Sequence, residues 1–396
     1  MTRRIVQLAF LLFVLAAVFL VGADAERWCP FGGVEAIYTY LDEGSMTCSL
    51  GVSNFFILGG IVVMVLLVRR AFCGYACPIG ALCEFLQSGA RRIGIKAWSV
   101  PPAADRVLSF LKYPLLGVIL FITWRAGELL FRGFDPCYAL ISRHGEDITF
   151  WSYAVLVAVA AGSLFVKVPF CRWLCPFAAV LNPLSRFGLV RVRRDEAPCV
   201  DCGLCSAACP MAIPVAQRNA VSEARCTACL DCVDACPERH KGALRVGFRW
   251  TGAGTAGAGR SGLTRAAIVA VMLACLATSV GAALLFPLPS YVNERGTPPE
   301  QTAVLELEVE NLNCRGNATL FVYFLERDDL LEVPGYVRIE AWPAPGTARV
   351  RIVYDPAAAD EEQIKGAIVE PYFDGVANFW RVPPFKIVGY DPLGID

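Results

Sequence analysis

Five apolar runs, at about 5–22, 52–69, 107–125, 150–168 and 266–286, constrain this chain more than anything else in it. Each is long enough to cross ~30 Å of hydrocarbon as a helix, and inside lipid a chain must satisfy its own backbone groups. Composition agrees: 56 % of the 396 residues are hydrophobic and only 18 % charged, too apolar for an ordinary soluble protein. The predicted architecture is therefore multi-domain, with an α-helical membrane domain over residues 1–190 and a fifth transmembrane helix at 266–286. The first run follows Arg3 and Arg4 and precedes Ala23-Asp24-Ala25, the outline of a cleavable signal peptide. Its apolar stretch from Ile5 to Val21 is long for a signal core, so a retained span is the reading adopted.

Lysine and arginine set the sidedness of such a chain. Residues 69–106 carry six of them and 167–265 fourteen, against one in 23–51 and two in 126–149. The amino terminus and both basic segments are thus assigned to the cytoplasmic side of a bacterial inner membrane. The fifth span then delivers residues 287–396 to the periplasmic side.

Two short motifs, FCGYACP from Phe72 and FCRWLCP from Phe170, lie 98 positions apart, each directly after an apolar run. They mark a weak internal repeat of two helical hairpins. At positions i and i+4, Cys73 and Cys77 would share one helix face, and so would Cys171 and Cys175. Three roles stay open for these candidate redox cysteines: ligands of a third metal centre, thiols cycling through disulfides, or plain helix ends. Cys29 and Cys137 are placed, with Cys48, at the outer ends of the hairpins, where a disulfide and a redox or metal site are equally open. Cys83 and Cys275 read as buried apolar residues. Lys112-Tyr113-Pro114 offers a cation, a hydroxyl and a kink, but snorkelling of the lysine is the simpler reading, and no quinone site is legible.

The strongest motif is double. Residues 199–210 read CVDCGLCSAACP and residues 226–237 read CTACLDCVDACP. Both follow the C-x₂-C-x₂-C-x₃-C-P pattern of two-cluster bacterial ferredoxins, in which the fourth cysteine reaches across to the other cluster. Cys199, Cys202, Cys205 and Cys236 are the predicted ligands of one [4Fe–4S] cluster, and Cys226, Cys229, Cys232 and Cys209 of the other. Two complete copies argue against zinc. Residues 191–248 are therefore a two-cluster ferredoxin domain, followed by a Gly/Ala-rich linker over 249–265. Only His144 and His240 occur, neither within an apolar run, which excludes a multi-haem cytochrome. No P-loop, nucleotide fingerprint or hydrolase motif is present, and no nucleic-acid partner is indicated.

FCGYACP, FCRWLCP, the WCPFGGVE after the first run and the CPMAIPV within the ferredoxin segment resemble the membrane-bound polyferredoxin family that includes NapH, NosR and CcoG. The resemblance covers about residues 1–245. It implies electron transfer between the quinone pool or the cytoplasm and a periplasmic or membrane redox or copper protein.

Residues 302–390 alternate as strand, helix, strand, strand, helix and strand, the order of a split βαβ, ferredoxin-like α+β domain. VPGYVRIEAW and the downstream VYDP resemble heavy-metal-associated domains, which usually carry a Cys-x-x-Cys pair. Here the two places are Cys314 and Asn317, and one thiolate does not make the two-coordinate site that Cu(I) favours. A docking domain is the reading adopted, with weak copper binding at Cys314 left open. The function expected is that of an iron–sulfur electron-transfer component of an oxidoreductase system, quinol dehydrogenase included. A Cu(II) reductase or accessory factor for cuproenzyme assembly and a redox-sensing scaffold are the alternatives.

Overall fold

The structure is a computed structural model and describes residues 3–21, 28–35, 37, 40–41, 52–126, 130–141, 149–249, 263–295, 299, 301–313, 315–326, 333, 335–344, 346–374 and 378–392. It forms two compact units, residues 1–31 with 55–284, and residues 32–54 with 285–396. All five apolar runs are helical in it. Arg3–Val21, Pro102–Arg125 and Arg265–Leu285 are long and apolar enough to cross a membrane. Ser53–Val68 and Phe150–Phe165 have 16 residues each, roughly 24 Å at the helical rise, short of the full hydrocarbon thickness. The five expected spans are thus three full-length helices and two shorter ones. The shortening has a local cause. Ser53–Val68 stops where Arg69 takes a left-handed φ of 60°, and Arg69 and Arg70 turn inward, each 1 % exposed.

Ser53–Val68, the first of the two short helices, is an inner stave of the first unit. Its Ile61, Met64 and Val65 are fully buried, and its Gly60 abuts the last helix. A Cβ on Gly60 would lie 1.7 Å from Ser279 Oγ and 3.1 Å from the Cys275 carbonyl, the small-residue contact by which apolar helices approach closely. Gly59, one residue earlier, has nothing within 4 Å of its would-be Cβ.

In the second unit, strands β3 (Tyr291–Glu294), β4 (Ala303–Glu310), β5 (Tyr336–Trp342), β6 (Thr347–Tyr354) and β9 (Lys386–Ile387) form one antiparallel sheet in the order β3-β5-β6-β4-β9. A separate hairpin pairs β7 (Tyr372–Asp374) with β8 (Phe379–Arg381). Alternation in β4 is strict, with Leu305, Leu307 and Val309 buried and Glu306, Glu308 and Glu310 exposed, as a sheet with one covered face requires. Helices Arg315–Glu326 and Glu361–Val369 supply that cover, burying Phe321, Phe324, Ile364 and Ile368 in the same core. The second begins at Asp360, whose carboxylate accepts from the Gln363 amide at 2.8 Å. Asn317, at the place of a second metal-binding cysteine, donates instead to the Asn311 carbonyl at 2.8 Å. Cys314, Cys48, His144 and most of the 249–265 linker lie outside the described residues.

A Gly→Ala change inside a helix ordinarily stabilises by up to about 1 kcal/mol. Gly59→Ala should follow that rule. Gly60→Ala should instead destabilise by roughly 1–3 kcal/mol because two helices must separate, and thermal unfolding of both variants in detergent checks the difference in sign.

Candidate functional site

Strands β1 (Val190–Arg194) and β2 (Leu244–Phe248) pair antiparallel and close the cysteine-rich segment into one module. Inside it the eight cysteines separate into two sets. One cavity is lined by Cys226, Cys229, Cys232 and Cys209, with Val192, Met211 and Ile213 among its walls. A second is lined by Cys199, Cys202, Cys205 and Cys236 together with Arg194 and Leu244. Each set draws three cysteines from one motif and the fourth from the other. The loops wrap alike: Asp201 (φ 51°) and Gly203 (φ 70°) in the first copy match Ala228 (φ 49°) and Leu230 (φ 62°) in the second. Left-handed residues among right-handed ones turn successive N–H groups into an anion-holding concavity.

These surroundings suit an iron–sulfur cluster. Among the described residues, no three Cys, His, Asp or Glu side chains approach closely enough to share a single metal ion. Four thiols around each cavity are the donor set of a cubane cluster. Burial pushes the Cys209 thiol up to about 11, so metal binding must displace its proton. Arg194 Nε donates to Cys199 Sγ at 3.2 Å, a charge-assisted bond that favours the more negative state of anything the sulfur ligates. The sets differ in access: Cys202 is exposed, whereas Cys209, Cys229 and Cys232 are buried.

The buried set is pressed against FCGYACP. Tyr75, 1 % exposed, donates its hydroxyl to the carbonyls of Cys229 at 3.1 Å and Ala228 at 3.3 Å. A Cβ on Gly74 would stand 3.0 Å from the Thr227 carbonyl, so only glycine fits there without displacing the second loop. Arg3 is buried and donates to the Gly74 carbonyl at 2.9 Å, while its other nitrogens pair with Glu84 and Asp231. Arg265 adds bonds to Asp234 at 2.6 Å and to the Cys229 carbonyl at 3.1 Å. On the other motif, Asp105 accepts from Trp173 Nε1 at 2.9 Å and pairs with both Arg172 and Arg225, the neighbour of Cys226. Arg69 anchors the approach to that loop through the Val221 carbonyl at 2.7 Å and the Glu223 carbonyl at 2.6 Å.

The FC…CP motifs are not continuous helices with cysteines on one face. Ala71–Tyr75 ends before Cys77, and Cys77 and Cys175 are the N-cap residues of new helices, Pro78–Arg92 and Pro176–Ser185. Proline cannot continue a helix but is well suited to start one, and this breaks the i, i+4 relation. The four thiols nevertheless converge, Cys171 lying among Cys77, Cys175 and Cys73. Cys137, expected at the outer end of a hairpin, lies within electrostatic reach of Cys77, Cys29 and Cys175. Phe31 meets Phe177 edge-on at 6.3 Å, and Phe177 meets Phe72 at 6.5 Å, which ties the Cys29 segment to both motifs. Lys112 does not snorkel, being 2 % exposed and close to Arg70, Cys175 and Cys171. Arg70, Asn182 and Asp105 went unnoticed in the sequence; arginine just past an apolar run reads as an inside marker, and only its burial shows otherwise.

Two interlocked four-cysteine sets docked on apolar helices are the arrangement that the resemblance to two-cluster polyferredoxins implies. A 4Fe-4S dicluster domain model matches residues 191–247, and a 4Fe-4S binding domain model matches residues 50–96 and 148–195, which contain the two FC…CP motifs. The Escherichia coli protein YccM, provisionally named for electron transport, is 29% identical over 221 residues, 54% of this chain and 61% of that protein. The regulatory protein NosR of Pseudomonas aeruginosa is 33% identical over 168 residues, 41% of this chain and 23% of its own. The ferredoxin-type protein NapH of Haemophilus influenzae is 24% identical over 195 residues, 46% of this chain and 66% of its own. This chain thus spans under two thirds of the first of these relatives and about a quarter of the second. No solved structure matches it. The resemblance to NapH- and NosR-type polyferredoxins holds, and the chain carries [4Fe–4S] clusters. Neither family model reaches the C-terminal sheet.

Asp105→Asn should cost about 3–5 kcal/mol, because it leaves Arg172 buried without its counter-charge. The loss is checked by thermal unfolding in detergent, and the Arg225 contact predicts that the ferredoxin module becomes protease-sensitive first.

Proposed function

We propose that this protein is a membrane-integral carrier of single electrons between quinol or a cytoplasmic donor and a redox partner in or beyond the membrane. The observation that carries the reading is the asymmetry of the two cysteine sets. One reaches the surface at Cys202, and the other is buried and bonded through the Cys229 carbonyl to Tyr75, between Cys73 and Cys77. Cys199, Cys202, Cys205 and Cys236 would hold one cluster, and Cys226, Cys229, Cys232 and Cys209 the other. When bound, such clusters supply one-electron carriage without proton or bond changes.

The protein's own part is to fix the two sets against each other and against the membrane motifs. The first set is the proposed station for a soluble donor, because its Cys202 is the most open of the eight cysteines. The second set packs against Gly74 and Tyr75 of FCGYACP, and the FC…CP cysteines are the proposed next station towards the bilayer. The excess of Lys and Arg in 69–106 and 167–265 supports a cytoplasmic ferredoxin module. The same rule puts the C-terminal sheet on the opposite side, where it is the module for a partner protein.

Anaerobic protein in liposomes containing quinol provides the test. Its ferredoxin EPR signals should develop on adding quinol or a low-potential cytoplasmic-type donor. A protein isolated without iron, or signals that neither donor elicits, would sink the proposal. Arg194→Met should leave iron content intact and lower the midpoint potential of one cluster only, since the N–H···S bond favours the reduced state; an EPR-monitored redox titration reads this.

A further inference from the structure

Each hairpin brings three cysteines, not two, to one place. Cys29, Cys73 and Cys77 come from the first, and Cys137, Cys171 and Cys175 from the second. Cys77 and Cys175 are common neighbours: Cys171 lies within electrostatic reach of Cys83, Cys77, Cys175 and Cys73, and Cys137 within reach of Asp135, Cys77, Cys29 and Cys175. The Phe31, Phe177 and Phe72 rings pack this grouping together independently of its sulfurs.

The charges around the group are two buried cations and one carboxylate, Asp135, which accepts from the Cys137 amide at 2.9 Å. Arg70 and Lys112 are 1 % and 2 % exposed. Arg70 donates to Asn182 Oδ1 at 2.7 Å and to Cys73 Sγ at 3.8 Å, and its Nε has no partner. Among the described residues no carboxylate pairs with either cation. Both lie within electrostatic reach of Cys171 and Cys175. Two unpaired buried cations are costly unless something anionic sits beside them, and neutral thiols are not anionic. Cys175 Sγ already accepts from the Ala178 amide at 3.4 Å, and the N-terminal ends of Pro78–Arg92 and Pro176–Ser185 add a positive field at Cys77 and Cys175. Apolar packing, six thiols and two unmatched cations suit a thiolate-ligated iron–sulfur cluster, which is a net anion.

We propose that these six thiols enclose a third, multi-iron cluster whose ligands include Cys29 and Cys137 as well as FC…CP cysteines, with Arg70 and Lys112 offsetting its negative charge. The inference rests on the relay reading above and extends it one station into the membrane domain. Arg70 and Lys112 are positioning residues here: they ligate nothing and act through the charge they place beside the sulfurs.

Iron and sulfide analysis of the anaerobic full-length protein, with EPR, tests this. Wild type should hold about twelve irons, and the Cys77→Ser/Cys175→Ser and Cys29→Ser/Cys137→Ser double variants about eight each, with ferredoxin signals unchanged. Those signals also report that the variants have folded. Lys112→Met should keep its iron and lower the midpoint potential of the third signal alone. About eight irons in wild type would overturn this inference while leaving the two-cluster relay standing. So would a Cys29/Cys137 variant with undiminished iron, or a Cys29–Cys137 disulfide found by mass spectrometry. Iron-free wild-type protein would overturn the relay itself.

Discussion

Two buried ionic knots hold the cysteine-rich module to the helices, and the rest of the site depends on them. In one, Asp105 gathers Arg172 and Trp173 from FCRWLCP with Arg225 from the second ferredoxin loop. In the other, Arg3 gathers Gly74 from FCGYACP with Glu84 and with Asp231 of the same loop. Buried charges of this kind contribute little net stability, because desolvation offsets most of the attraction. Their effect is positional: a wrong seating of the module would strand a buried arginine or carboxylate, so one seating is selected.

That seating gives the second cysteine set its surroundings. Its loop carries left-handed residues at Ala228 and Leu230, which aim the carbonyls of Ala228 and Cys229 outwards to Tyr75 and Arg265. Both FC…CP motifs thus touch one loop, one by way of Gly74 and Tyr75 and the other by way of Asp105. An internal repeat in the membrane domain and an internal repeat in the ferredoxin module meet there. One-electron transfer favours short distances and fixed dipoles, and a rigid, buried contact provides both.

Much of this was legible in advance. Motif spacing assigns Cys236 to the first cysteine set and Cys209 to the second; each lines a cavity with that set, and their ligation of clusters is part of the proposal. The apolar runs become helices, and the alternation in VLELEVE becomes β4. What could not be read concerns depth and direction. Lys112 sits at a helix start where snorkelling is usual, yet its side chain is enclosed. Cys77 and Cys175 stand four residues after their partners, yet the prolines behind them begin new helices. Cys29 and Cys137 belong to loops between apolar runs, and hydropathy assigns such loops to a membrane surface without saying how far they fold back.

The amino-acid sequence by itself determined the chemistry of this protein: ligand spacing and helix-forming apolar runs are local properties, set by bond lengths, thiol number and hydrophobic length within a few residues. Tertiary structure alone decided which thiols outside the two ferredoxin motifs share a neighbourhood and which charges are buried. Those properties depend on residues up to 228 positions apart, as Arg3 and Asp231 are, and on the desolvation that packing imposes. No short-range pattern carries that information.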